Sequence, residues 1–310
     1  MVFDIGLAVL VVAVAAWTIA ARDVFAAVVS FVAYGLLLAL VWVRLAAPDV
    51  ALTEAAIGGG LTGGLLIGAS SRLRGIEAPA ANEKPGRGPW LAAALLCSLV
   101  SIGLAMIVPV LPEPSPTLAS QAAANLAATG LSNPVTAVLM AYRAIDTLLE
   151  TVVLLLALLA VWSLAPDRFW GGLPGRRQNA DPESVLTFAA QLLVPMGILI
   201  GIHIFWIGSV APGGEFQGAT ILAAVWILAA MAGLVEGPPV SRQWLRLMLV
   251  AGPAVFFMIG LAGFATAGAF LAYPEAHAKL LILIIEVPVT LSIAATLALL
   301  LAGPPERGPQ

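Results

Sequence analysis

Nine predominantly apolar segments make up most of this chain. Each is close to the ~20 residues that an α-helix needs to cross a hydrocarbon core about 30 Å thick. They run over 2–21, 24–46, 49–70, 90–111, 142–164, 185–209, 215–235, 244–272 and 277–302, separated by short polar punctuation. Only 10% of residues are charged and 61% are hydrophobic, against about 25% charged in an ordinary soluble domain. A water-soluble globule is thereby excluded. The expected fold is an all-α polytopic transmembrane bundle of about nine helices. The first span lacks a basic leading region and passes directly into the second, so it reads as a retained helix rather than a secretory signal.

Basic residues orient such a chain, because Lys and Arg concentrate in cytoplasmic loops. Of the 14 Lys and Arg residues, all but three fall on one side of a nine-span arrangement. Arg22 is followed there by Arg72, Arg74, Lys84 and Arg87, then Arg168, Arg176 and Arg177, then Arg242, Arg246 and Arg307. Arg44, Arg143 and Lys279 fall on the other side, each beside a helix end. The expectation is an amino terminus outside and a carboxyl terminus inside.

Two stretches rich in Pro, Gly and Ala, at 75–89 and 166–184, read as linkers. They divide the chain into a three-helix module over 1–80, a two-helix module over 81–180 and a four-helix module over 181–310. A third interruption, 112–134, is Ala-rich with four prolines and has the composition of an outer loop carrying a short surface helix. No internal repeat is evident, which argues against a self-contained secondary transporter. With one cysteine and two histidines, the chain has no disulfide framework, zinc set or haem set. It also lacks a phosphate-binding loop and a basic cluster for nucleic acid. No enzymatic chemistry and no cofactor are expected.

Ionisable groups inside spans are costly, so each needs a partner or a task. Three stretches and one isolated acid stand out. In PDVALTEAAIGGGLTGG, residues 48–64, Pro48 and Asp49 fit helix capping. Glu54 lies about 7 Å further along among apolar neighbours and suits either a hydrogen bond to another helix or proton carriage. Gly58, Gly59 and Gly60 fit close helix packing or a local bulge. In YRAIDTLLE, residues 142–150, Arg143, Asp146 and Glu150 share one helical face. Arg143 and Asp146 read as a surface ion pair, with Glu150 about 6 Å deeper. In HIFWIGSVAPGGEFQGA, residues 203–219, Pro212, Gly213 and Gly214 make a turn, and Glu215 then sits at a helix amino terminus. His203, two turns earlier, fits either packing or proton exchange. Glu286 is the deepest acid, about 13 Å into the last span. Pro288 follows it, removing a backbone bond so that carboxylate and freed carbonyl could hold a transient Na+.

In this order the stretches carry a family resemblance. Residues 48–64 resemble an MbhD-like membrane-bound hydrogenase domain, also found at the carboxyl end of the large subunit of Mrp-type multisubunit sodium/proton antiporters. YRAIDTLLETVVLL, residues 142–155, resembles the MbhE-like domain that follows it. APGGEFQGATILAA, residues 211–224, is similar to the PGGGFQGG region of the MnhB/MrpB subunit. The resemblance implies a fused membrane subunit of a cation/proton antiporter in the prokaryotic inner membrane, with other antiporter-like or complex I-like subunits as partners and Na+ and H+ as cargo. It places Glu54, Asp146 and Glu150 on the translocation route and implies a bulged third helix. Glu286, His203 and Glu215 join them as candidates from their position alone. Glu215 replaces the third glycine of the family turn and Ala219 its last. The other implied reading is a scaffold in the membrane arm of an energy-converting redox complex.

Overall fold

The computed structural model describes residues 2–73, 87–112, 117–175 and 183–308. Most of the expected linker at 75–89 lies outside the described residues, with Arg74 and Lys84, as do Arg176 and Arg177 in the second linker. Helices make up most of the described chain, joined by turns and loops, with one short strand pair.

Its helices follow the apolar segments closely. Spans one and two are α1 (Val2–Ala20) and α2 (Val24–Arg44), and the third begins with α3 (Pro48–Glu54). The third span continues through a π-helical stretch, Ala55–Thr62, into α4 (Gly63–Leu73). The fourth is α5 (Arg87–Ile107). A surface segment follows, with α6 (Ala119–Ala124), and then α7 (Pro134–Ala137) leads through a second π-helical turn, Val138–Tyr142, to a break at Arg143. The remaining spans are α8 (Ala144–Ser163), α9 (Val185–Ile207), α10 (Glu215–Met231), α11 (Gln243–Thr266) and α12 (Ala278–Ala302). Among the described residues, eight helices are long and apolar enough to cross a membrane, and α10 is a shorter apolar helix. Its 17 residues reach only about 25 Å, because Gly233 takes φ +70° and Gly237-Pro238-Pro239 follows. The eighth span likewise stops at Thr266, short of the expected 272, where Gly268 and Leu271 take positive φ.

Local chemistry sets several of these starts. Asp23 accepts from the Ala26 N–H ahead of α2, Asn133 from the Val135 N–H ahead of α7, and Ser184 from the Thr187 N–H ahead of α9. Each satisfies an amide that has no partner within the helix.

Packing centres on α12, whose inward side holds Ile282, Ile285, Val289, Ile293 and Leu297 against Met140, Ala144, Leu148, Ala219, Ala223 and Phe256. α10 lies between α9 and α12, and the third span lies between α2 and α10. By contrast α5 buries none of its residues within the described chain. At one face of the bundle, β1 (Leu173–Pro174) pairs antiparallel with β2 (Pro305–Arg307), and the Val240 N–H donates to Gly172 O. The ends of α8, α10 and α12 therefore meet there. At the opposite face, Arg44 pairs with Asp4 at 2.9 Å and the Ser132 and Asn133 amides donate to Ser209 O. The two ends of the chain lie at opposite faces.

Candidate functional site

At the second of these faces, the start of the third span meets the Pro-Gly-Gly turn before α10. Pro48 is tolerated in the first turn of α3 because its missing N–H would be unpaired there, and Asp49 follows. Its carboxylate does not simply cap its own helix. Oδ1 accepts from the Gly213 N–H at 3.0 Å and from Asn133 Nδ2 at 3.3 Å, and the residue is buried, at 7% exposure. Asn133 Nδ2 also donates to Ala211 O at 3.0 Å. Gly213 and Gly214 take φ +146° and +138°, values that favour glycine and turn the Gly213 amide toward Asp49. One turn further along, Gln217 Nε2 donates to Thr53 Oγ1 at 3.0 Å. The first and third of the stretches singled out in the sequence therefore meet at one junction, with Asn133 joining them from just ahead of the second.

Glu54 sits at the end of α3, half-buried, where the helix widens into its π-helical stretch. It makes no hydrogen bond or ion pair among the described residues. Its carboxylate lies over Gly58, where a Cβ would collide with Oε1. A Cβ on Gly35 of α2 would stand 3.0 Å from the Gly58 and Gly59 backbones, so the glycines hold the two helices in close contact and also leave room for the carboxylate. The cleft between this span and α10 encloses a cavity of about 980 Å³, lined by Gly60, Leu61, Gly64, Ala223 and Trp226, with Arg307 and Glu236 also on its wall. These last two form an ion pair.

Between α10 and α12 lies a carboxyl pair. Glu215 is the first residue of α10 and is 5% exposed; Glu286, about one turn before the middle of α12, is 2% exposed. Their carboxyls lie within hydrogen-bonding reach of each other. Two carboxyls can share a hydrogen bond only when one carries a proton. Glu286 Oε1 receives no donor among the described residues. Its backbone carbonyl accepts from Thr290 Oγ1 at 2.7 Å, and Pro288 removes the bond that would otherwise reach Ile284 O. Glu150 lies exposed on α8 yet within electrostatic reach of Glu215.

The other candidates lie apart. Asp146 forms an exposed ion pair with Arg143 at 2.5 Å, as the spacing predicts. His203 is exposed on α9 and makes no hydrogen bond or ion pair among the described residues. No group of three or more His, Cys, Asp or Glu side chains converges as a metal site among the described residues. Sequence reasoning did not single out Asn133, Thr53 or Gln217; it read Asp49 as a helix cap, and Glu215 as a helix-terminal charge and translocation candidate with no partner assigned. Asn133-Pro134 signals a helix start, but nothing local points to its partners Asp49 and Ala211.

Comparison with known proteins matches this architecture. Residues 9–75 match the MbhD family model, named for a component of MBH, and residues 185–302 match the domain related to the MnhB subunit of a Na+/H+ antiporter. A protein of Methanocaldococcus jannaschii is 26% identical over 156 residues, covering 46% of this chain and 60% of its own length. In the Mrp complex of Dietzia sp. DQ12-45-1b, one chain superposes with a TM-score of 0.76 at 25% identity, over 98% of this chain and 35% of that one. The membrane-bound sulfane sulfur reductase, an archaeal respiratory membrane complex, contains a chain that shares the fold, with a TM-score of 0.54 at 23% identity over 69% of this chain and 98% of that one. The chain thus spans 60% of the curated relative and 35% of the Dietzia protein. With an MbhD domain at one end, an MnhB-related domain at the other and the Mrp-complex fold throughout, it is a fused multi-pass subunit of the Mrp/Mbh type from a prokaryotic cell membrane.

Proposed function

We propose that this chain works as a membrane subunit of a multisubunit cation/proton antiporter, with Na+ the cation exchanged, and supplies part of the translocation path. On this reading it performs no covalent chemistry and needs no cofactor. The observation that carries it is Glu54: a half-buried carboxylate without a partner among the described residues, at the point where the third span widens and beside the Thr53–Gln217 contact with the MnhB-related domain. A carboxyl without a partner is costly in a membrane, and a role in exchanging protons accounts for its presence. Glu150, Glu215 and Glu286 continue the acidic series into the third module. Asp146, tied to Arg143, and His203, exposed on α9, stand at its margins, where neighbouring subunits would complete their surroundings. The unburied α5 offers those subunits a full helical surface.

The test uses the complex assembled with its partner subunits in vesicles. Glu54→Gln preserves shape and hydrogen bonding but not titration, and cation/proton exchange should fall sharply while assembly is unchanged. Gly58→Ala should act in the same direction, because the new methyl displaces the Glu54 carboxylate; Gly68→Ala, where nothing lies within 4 Å, serves as control. Wild-type exchange by Glu54→Gln across the working pH range would make Glu54 a packing residue and favour a scaffold role, in keeping with the shared fold of the sulfane sulfur reductase complex.

A further inference from the structure

We infer that Glu215 and Glu286 form a one-proton carboxyl pair that a monovalent cation can enter only by displacing the shared proton. The inference rests on the antiporter reading above and names the exchange step that this domain contributes. Three observations converge on it. Both side chains are almost fully buried, on two helices packed directly together. Their carboxyls lie within hydrogen-bonding reach of each other, an approach that two bare carboxylates away from water would resist and one shared proton accommodates. No donor among the described residues reaches Glu286 Oε1, which leaves that oxygen open to a proton or a cation.

The charge balance makes exchange compulsory. With one proton the pair carries a net charge of −1. When Na+ enters, the O–H bond breaks, H+ leaves, and two carboxylates hold one Na+, again at −1. An unprotonated pair without a cation would bury two negative charges in contact, a state strongly disfavoured away from water. The site therefore passes between proton-loaded and cation-loaded forms, one for one, without an empty intermediate. This is the condition for coupled exchange rather than leak.

The surroundings favour a single negative charge and no more. Glu215 stands at the amino terminus of α10, where the helix dipole is positive. From α8 the charged group in reach is Glu150, which would repel a second negative charge. α11 carries one charged residue, Arg246, committed through Nε to Val240 O near its start. On α12 itself Lys279 lies about two turns before Glu286, beside Gly130. From α9 the titratable group is His203, which is exposed. Asp49, on the third span, is engaged by Gly213 and Asn133. Among the described residues no buried cation neutralises the pair; in the proposed cycle the exchanged ion does so.

The experiment uses the purified assembled complex in weakly buffered detergent, adding NaCl and, in parallel, choline chloride at equal ionic strength. Wild type should release protons on Na+ addition and not on choline. Glu215→Gln and Glu286→Gln should each lose the proton that this pair contributes, and the double variant should lose no more than either single one, because one proton is shared. Undiminished release in both single variants, or losses that add in the double variant, would overturn the pair. If the variants do not assemble, infrared difference spectra of the wild-type complex decide instead. Loss of a protonated-carboxyl band on Na+ addition is expected, and an unchanged band refutes the inference. Vesicle exchange separates the pair from the antiporter reading. A complex that exchanges ions while its Gln variants behave as wild type discards only the pair, whereas a wild-type complex with no cation/proton exchange discards the antiporter reading.

Discussion

Replacing Asp49 with alanine separates two accounts of its carboxylate that predict different magnitudes. If Asp49 only complemented the dipole of its own helix, the loss would be about 0.3–1 kcal/mol. The structure instead has Oδ1 accepting from the Gly213 N–H at 3.0 Å and from Asn133 Nδ2 at 3.3 Å, in a buried residue. In Asp49→Ala, Asn133 keeps Ala211 O as an acceptor, so its loss is small. Gly213 loses its partner while buried, and a hydrogen bond to a charged group contributes about 1.5–3 kcal/mol. The expected total is roughly 2–4 kcal/mol, concentrated where the third span meets the turn before α10. Asp49→Asn retains an acceptor oxygen and should cost about half as much. Unfolding of the purified chain by SDS titration in mixed micelles reads these differences, and a double-mutant cycle with Asn133→Ala should show coupling of at least ~0.5 kcal/mol. A loss below about 1 kcal/mol for Asp49→Ala, together with additivity with Asn133→Ala, would refute the latch and return Asp49 to a capping role.

Two further expectations concern orientation and pH. In a Cys97→Ser background, cysteines at the exposed positions Pro212 and Asp167 should be labelled from opposite faces, Pro212 from outside. Labelling of both from one face contradicts the arrangement, and reversed labelling contradicts the orientation drawn from Lys and Arg. Tyr273, in the turn before α12, has its hydroxyl buried without a hydrogen-bond partner among the described residues, and burial pushes its pKa upward. The folded chain thus favours the neutral phenol: that contribution is complete below the unfolded value of about 10 and is lost as pH rises above it. Tyr273→Phe should leave neutral-pH stability nearly unchanged and flatten the decline of the thermal midpoint above about pH 10. Parallel declines in the two proteins would show that Tyr273 does not titrate against folding.

The membrane spans were legible from sequence because their determinant is local. An apolar run long enough to cross a bilayer must satisfy its own backbone bonds, and helix is how it does so; observed starts and ends such as Val185–Ile207 and Ala278–Ala302 fall within a few residues of the apolar boundaries. The glycine run after Glu54 likewise marked a weakened helix, and the π-helical stretch lies over it. Val138–Tyr142 adopts the same irregularity with no glycine to signal it. The sequence also showed which acids were out of place in apolar surroundings, but not what each would meet. Asp49 and Gly213 are 164 residues apart along the chain, and neither carries a mark of the other. Glu215 reads locally as a helix-terminal charge and Glu286 as an isolated deep acid. Only the packing of α10 against α12 places their carboxyls together. Periodicity and hydropathy record how a segment meets lipid, whereas hydrogen bonds and shared protons depend on which segments become neighbours, and that is decided by the tertiary structure.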